Sequence, residues 1–487
     1  MELIAGRLGN NSQASRAMKN LCRKGSCMRR RFASVLMCLP LIMFGSTLVC
    51  GQEPTLEERV ATLEATASAS GNNAWMLASS ALVLFMTIPG LSLFYGGLVR
   101  KKNVLSVMMQ CIFLAGVMTI LWALVGYSLA FSGSSPWIGD LGYSLMHNVA
   151  MVAGDGPDEG AIPRLTHMVF QGMFFIFTPA LICGAFAERM KFSAVTVFLI
   201  FWGLLVYCPL CHWVWDADGI LYRGSASSKN FSGGALDFAG GTVVHISAGI
   251  SALICTLMLG RRVGYGTEDM RPHNLTYTVM GAGMLWVGWF GFNAGSALAS
   301  NDLAASAFVA THFSAAAGAV AWAGMEWIIR RKPSVLGAAS GAVAGLVCIT
   351  PGSGFVQPMP AFVFGAMAGI ICYLACWKLK GYFKYDDSLD AFGVHGVGGI
   401  LGALLTGIFA TKDVNTAGEN GLFYSSSTGI GLLQGQTTAI IVTILLSVVG
   451  TAIILKLIDL TIGLRVDQTQ ERMGLDISDH GEEGYIF

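Results

Sequence analysis

Asp237-Phe238-Ala239-Gly240-Gly241-Thr242-Val243-Val244-His245 places one acid and one imidazole in a run that is otherwise apolar or small, and no further charge follows until Arg261. A helix rises about 1.5 Å per residue, so Ser247 to Leu259 alone covers about half of a hydrocarbon core. Asp237 therefore opens a membrane span and His245 lies inside it. An acid at a helix start accepts from free N–H groups and aligns with the helix dipole, so a cap is the plain reading of Asp237. An ionisable group at mid-depth is costly unless it has a partner or a task, which makes His245 a functional candidate.

The pattern recurs in Asp390-Ala391-Phe392-Gly393-Val394-His395-Gly396-Val397-Gly398-Gly399, again an acid ahead of a histidine in a helix-length apolar stretch. A neutral imidazole has one donor and one acceptor nitrogen, so a facing pair shares a proton and leaves its outer edges to a polar solute. His245 and His395 are expected to line a pore or binding site.

The 487 residues are 54% hydrophobic and only 12% charged, about half the charge of a soluble domain, which puts the chain in the membrane class. A net charge of +1 argues against a nucleic-acid partner. The 61 glycines show no collagen period and predict closely packed membrane helices, as in Gly337 to Gly345.

Residues 1–50 read differently. Met28-Arg29-Arg30-Arg31 precedes a short apolar run from Phe32 to Val49, the layout of a signal peptide, with Met28 as an alternative start. A retained extra membrane helix is the competing reading. Residues 51–73 form a polar extracytoplasmic linker or a short surface helix, with Leu56, Val60 and Leu63 at helical spacing.

From Trp75 the chain is a succession of apolar segments, near 75–99, 104–131, 165–187, 193–214, 236–259, 274–299, 302–327, 334–350, 357–377, 390–410 and 430–459. With loops alternating from an outside start, 17 Lys and Arg residues fall on one side and four on the other. The crowded side is then cytoplasmic, with the N-terminal end outside and the C-terminal tail inside. The expected fold is an all-α polytopic membrane protein of eleven transmembrane helices, two inverted five-helix halves plus one C-terminal helix, with the two histidines in equivalent fifth and tenth spans. The membrane domain covers 74–460 and a cytoplasmic tail 461–487.

Other motifs carry less. Cys208-Pro-Leu-Cys211-His212 matches the short haem-attachment pattern, but lies at a membrane edge with no room for a haem domain. The remaining cysteines are scattered and form neither a disulfide scaffold nor a metal site. Phe170 and Phe174 share one helix face, and Trp289, Phe292 and Ser296 another; such stripes usually pack. Near the outer edge, Trp215 serves equally as a belt residue or as a cation–π seat with Ser296 supplying an oxygen, and phenylalanines farther in would exclude water from the histidines.

Phe94-Tyr95-Gly96-Gly97-Leu98-Val99-Arg100, Gly184-Ala185-Phe186-Ala187-Glu188-Arg189, Asp237 to His245, Gly291-Phe292-Asn293-Ala294-Gly295-Ser296 and Phe392 to Gly396 together resemble the ammonium transporters of the Amt/Rh family, in its Amt branch, over residues 73–487. The resemblance implies a homotrimer with one pore per protomer, in a bacterial cytoplasmic (inner) membrane. It assigns Trp215, Ser296 and Phe174 to an outer ammonium site, Phe174 and Phe292 to a stacked gate, and His245 and His395 to the pore. Asp237 becomes the acid that holds the outer site's backbone and biases it toward a cation; Phe170, Trp289, Asp390, Phe94 and Tyr95 take supporting places. The stretch Tyr222 to Ser232 is an added external loop.

The implied mechanism is recruitment of ammonium, deprotonation on entry and passage of ammonia past the histidines; the proton either follows through the imidazole pair or leaves on its original side. No cofactor, metal or enzymatic chemistry is expected, because two histidines and an acid give neither three clear metal ligands nor a placed nucleophile. The alternative is an ammonium sensor signalling through a separate partner. The tail through Gly474-Leu475-Asp476 to Glu482 reads either as a solvated appendage or, by resemblance, as a regulatory segment that lies against the cytoplasmic loops of a neighbouring protomer and couples the pores, at a face where a PII-type signalling protein binds. Its acids Glu471, Asp476 and Asp479 are expected to meet Arg261, Arg262, Arg330 and Arg331.

Overall fold

The computed structural model describes residues 55–151 and 162–485; the signal-peptide region and the loop Gly154 to Gly160 lie outside the described residues. Among the described residues, nine helices are long and apolar enough to cross a membrane. They are α1 (Ser68–Leu98), α2 (Lys101–Phe131), α3 (Arg164–Phe186), α4 (Phe192–Trp215), α5 (Gly241–Leu259), α7 (Asp302–Arg330), α9 (Pro358–Phe383), α10 (Phe392–Phe409) and α11 (Ser426–Thr461). Two further helices stand in the series. Val335–Ile349 (α8) has only 15 residues, and Leu275–Gly295 (α6) is diluted by glycine, threonine and asparagine. The segment Leu56–Phe85 is one continuous helix, so part of the expected polar linker is the helical approach to the membrane.

Helix α5 starts later than its hydropathy suggests. Asp237 stands off the helix end, and Gly240 turns the chain with a φ of 113°, a region that side chains with a Cβ rarely enter. Asp237 then presents its carboxylate to the N–H groups left free at the helix start.

Helices α5 and α10 cross in backbone contact. A Cβ on Gly249 would collide with the amide nitrogen of Gly396 and lie 2.9 Å from the carbonyl carbon of His395. With no side chain at 249, the turn bearing His395 settles directly on α5. Both histidines sit in widened, π-helical turns, Gly241–Ile246 and Phe392–Gly396, at the starts of their helices.

The tail folds onto the same chain through α12 (Gln468–Met473) and α13 (Leu475–His480). Gly474 has a φ of 110°, and a Cβ there would sit 2.6 Å from the Cβ of Lys102. Leu475 is buried and its N–H donates to Asn103 Oδ1 at 2.9 Å. Asp476 accepts from the Ser106 amide near the start of α2 at 2.8 Å, and Asp479 from the Phe192 amide that opens α4 at 3.2 Å. Glu471 pairs with Arg465 at 2.7 Å and accepts from the Val263 amide.

These contacts correct the expected partners of the acids. Arg262 pairs with Glu188 and Asp386, Arg330 with Glu326, and Arg261 donates to the Lys384 carbonyl. Unpaired N–H groups at helix starts have taken the tail's aspartates instead. Burial pushes Glu188 up, but Arg262 and Arg100 outweigh it and hold this carboxyl below its usual range.

Replacing Gly249 with alanine is expected to overpack the crossing, costing about 1–3 kcal/mol. Thermal melting in detergent should drop by several degrees for Gly249→Ala, while Gly116→Ala, whose Cβ would meet open space, should melt with the wild type. Equal melting of all three would show that the crossing is not tight.

Candidate functional site

The two imidazoles meet where α5 and α10 cross. Nδ1 of His245 lies 3.3 Å from Nδ1 of His395, with the rings nearly parallel at 17° and their centroids 5.4 Å apart. One Nδ1 must donate and the other accept, so this contact fixes opposite tautomers in a neutral pair. His245 is fully buried, and its Nε2 has no hydrogen-bond partner among the described residues. The indole of Trp289 stacks on His245 at 5.5 Å and 20°, and is itself held by donating to Thr350 Oγ1 at 3.0 Å. Trp289 thus belongs to the wall beside the histidine as well as to its helix stripe.

Aromatic rings continue from the histidines toward Trp215. Phe292 lies 6.0 Å from His245, Phe174 lies 4.3 Å from Phe292, and Trp215 meets Phe174 edge-on at 5.6 Å. Phe170 packs on Phe174 at 5.0 Å from behind. Ser296 is half-buried, and its hydroxyl donates to the Phe292 carbonyl at 2.9 Å, leaving its lone pairs free.

Asp237 organises this upper part. Its carboxylate accepts from the amides of Gly240, Gly241 and Thr242 at 2.8, 2.6 and 2.8 Å, from Val243 at 3.3 Å, and from the Thr242 hydroxyl. Its backbone carbonyl accepts from the Trp215 indole at 2.9 Å. One residue therefore anchors the start of the His245 helix and orients the indole at the rim.

On the opposite side, a cavity of about 210 Å³ opens below His395, lined by Phe94, Tyr95, Trp322, Ser340, Ser388 and Asp390 among others. Phe94 and Tyr95 are thus wall residues here, and the Tyr95 hydroxyl is tied to the Leu181 carbonyl at 3.1 Å. The capping carboxylate of α10 is Asp387, which accepts from the amides of Ala391 and Phe392 at 3.1 and 2.8 Å. Burial raises its carboxyl to about 6. Asp390 has a positive φ of 59° and pairs with Lys380 at 2.7 Å. Spacing could have found Asp387: it precedes His395 by eight residues, as Asp237 precedes His245. Thr350, by contrast, carries no sequence signal. Among the described residues there is no cluster of three or more His, Cys, Asp or Glu fit to hold a metal ion, and His212 of the haem-like motif points both ring nitrogens at backbone carbonyls.

Known proteins resemble this chain over most of its length. Residues 74–485 match the model of the Ammonium Transporter Family. The chain belongs to the ammonium transporter family. An ammonium transporter of Bacillus subtilis is 45% identical over 415 residues, 85% of this chain and 98% of that protein. The crystal structure of Saccharomyces cerevisiae Mep2 superposes with a TM-score of 0.74 at 35% identity, covering 82% of this chain and 88% of that one. A structure titled Sensor Amt Protein aligns with a TM-score of 0.75 at 27% identity, over 85% and 99% of the two chains. The chain is a membrane transporter for ammonium or ammonia, with a pore lined by the interacting pair His245 and His395.

Substituting Asp237 with asparagine would turn one acceptor oxygen into a donor facing amide N–H groups, and each buried polar group left unmatched costs about 1–3 kcal/mol. Asp237→Asn is expected to melt several degrees below the wild type and to take up methylammonium at least about tenfold more slowly, since about 1.4 kcal/mol is tenfold. Wild-type melting and uptake would show that this carboxylate anchors nothing.

Proposed function

We propose that the transporter recruits ammonium between Trp215 and Ser296, that the ion gives its proton to water on the outer side before it reaches Phe174 and Phe292, and that ammonia passes along His245 and His395. What supports the reading is one juxtaposition: a paired, buried imidazole dyad whose His245 Nε2 has no hydrogen-bond partner among the described residues, behind two phenylalanine rings in contact.

Each step follows from cost. An indole face and a hydroxyl oxygen attract a cation still partly hydrated. The stacked rings offer no group to replace that hydration, so the bare ion is expelled while its neutral conjugate base enters. Ammonia can donate to a free imidazole nitrogen or accept from an N–H, and the pair redistributes one proton between its nitrogens as the solute moves by. Asp237, buried near the rim and fully hydrogen-bonded, holds the indole and adds negative charge that favours the cation outside the throat.

We further propose that α6 and α8 also cross the membrane, giving eleven spans as two inverted halves and a final helix. The two Asp-to-His intervals of equal length, each opening a widened helical turn, support the repeat. The basic loops then face the cytoplasm, in a bacterial inner membrane, and the chain works as a homotrimer with a PII-type protein as the partner of its cytoplasmic face. The docked tail supports a regulatory role for Gly474, Leu475 and Asp476, because releasing it would free the starts of α2 and α4. The likeness to a sensor favours a second reading, in which the same pocket reports ammonium to a separate partner.

His395→Ala in liposomes tests the route. Methylammonium uptake is expected to fall at least about tenfold at equal protein abundance, about 1.4 kcal/mol of barrier. Uptake at the wild-type rate would remove the dyad from the path, and a wild-type protein that binds ammonium without uptake would favour the sensor.

A further inference from the structure

Gln436 is a buried amide on α11, far from both histidines in sequence. Its Oε1 accepts from the Leu236 amide at 2.7 Å, and its Nε2 donates to the Leu236 carbonyl at 3.0 Å and to the Ala403 carbonyl at 2.9 Å. All of the side chain's near hydrogen-bonding capacity is spent on the backbones of two segments. One leads into α5; the other lies on α10, two turns beyond His395.

The Leu236 carbonyl belongs to the peptide whose N–H is that of Asp237. Gln436 therefore grips the peptide plane just ahead of the residue that caps α5 and receives the Trp215 indole. The neighbouring contacts make the grip specific. At Gly435 a Cβ would collide with the Gly234 carbonyl, so α11 touches this stretch backbone to backbone. Thr438 donates to Ser232 Oγ at 3.0 Å, and the Phe238 amide donates to the Pro351 carbonyl at 3.0 Å on the other side. Between these two fixed flanks, the Leu236–Asp237 peptide has Gln436 as its partner. Leu236 and Gln436 are both buried, and the amide answers both backbone groups of Leu236, so the orientation of this segment follows the amide.

We propose that Gln436 is a positioning residue for the outer ammonium site: it sets the Leu236–Asp237 peptide and, through the Asp237 carbonyl, the placement of the Trp215 indole. The inference rests on the reading of Trp215 as part of that site. The amide touches the rim directly and the His395 helix only at Ala403, two turns beyond the histidine, while the Asp237 carboxylate keeps its own bonds to the start of α5, so its loss is felt in substrate capture more than in turnover.

Gln436→Met keeps the volume and removes all three hydrogen bonds; Gln436→Glu keeps the acceptor for the Leu236 amide and serves if the methionine variant fails to fold. Thr443→Val, on the same face of α11 with a buried hydroxyl that has no partner, is the control for disturbing that helix. Methylammonium uptake in liposomes is measured over a concentration series at matched abundance, with Trp215→Leu alongside. The expected result is a KM raised at least about fivefold in the Gln436 variant and in Trp215→Leu, with maximal rate within about twofold of wild type for Gln436, and no change for Thr443→Val. An unchanged KM in the Gln436 variant beside a raised one in Trp215→Leu overturns this proposal alone. A lowered maximal rate at constant KM also overturns it, since that is the mark of general structural support. An unchanged KM in Trp215→Leu overturns the outer-site reading on which it stands.

Discussion

A hydrogen bond between two buried imidazoles sets the terms for the rest of this molecule. Two hydrogen-bonded ring nitrogens 3.3 Å apart share one proton between them, and burial leaves each with the other as its partner. Keeping them there requires two helices to touch at their backbones, which Gly249 and Gly396 allow. It requires each helix to begin just before its histidine, with a carboxylate satisfying the free amides, as Asp237 and Asp387 do. It also requires rings to fill the remaining space, a task met by Trp289 on one face and by Phe292 and Phe174 beyond it.

The parts of this arrangement that obey periodicity were legible from residues alone. Long apolar runs marked the helices, and buried histidines marked the pore. Hydropathy misplaced the start of α5, because it does not distinguish an apolar residue in a helix from one in the loop that Gly240 turns. It also offered Asp390 as the second acid, when the eight-residue interval pointed to Asp387. The interval carries the physics: an acid at that distance caps the helix start and leaves the histidine about one turn into its helix.

Contacts between distant segments were beyond such reading. Nothing in the run around Gln436 announces that its amide holds Leu236, and the tail's acids were assigned to arginines when helix starts had a stronger claim on them. Charge complementarity between loops is a weak guide because exposed pairs contribute only about 0–1 kcal/mol, whereas unpaired amide groups at a helix end accept a carboxylate with defined geometry. Arg262 is itself committed to Glu188 and Asp386, and Arg330 pairs with Glu326.

The route from rim to dyad stands on the claim that a cation loses its charge before the phenylalanines. Potassium is similar in size to ammonium and has no proton to give up, so the two ions separate this claim from ordinary cation conduction. Wild-type protein in liposomes, given ammonium or potassium gradients of equal size, should move ammonium nitrogen readily and pass potassium at the level of empty vesicles. Sustained potassium flux comparable to that of ammonium would contradict the account, because a throat that admits a bare cation needs neither deprotonation nor an imidazole pair.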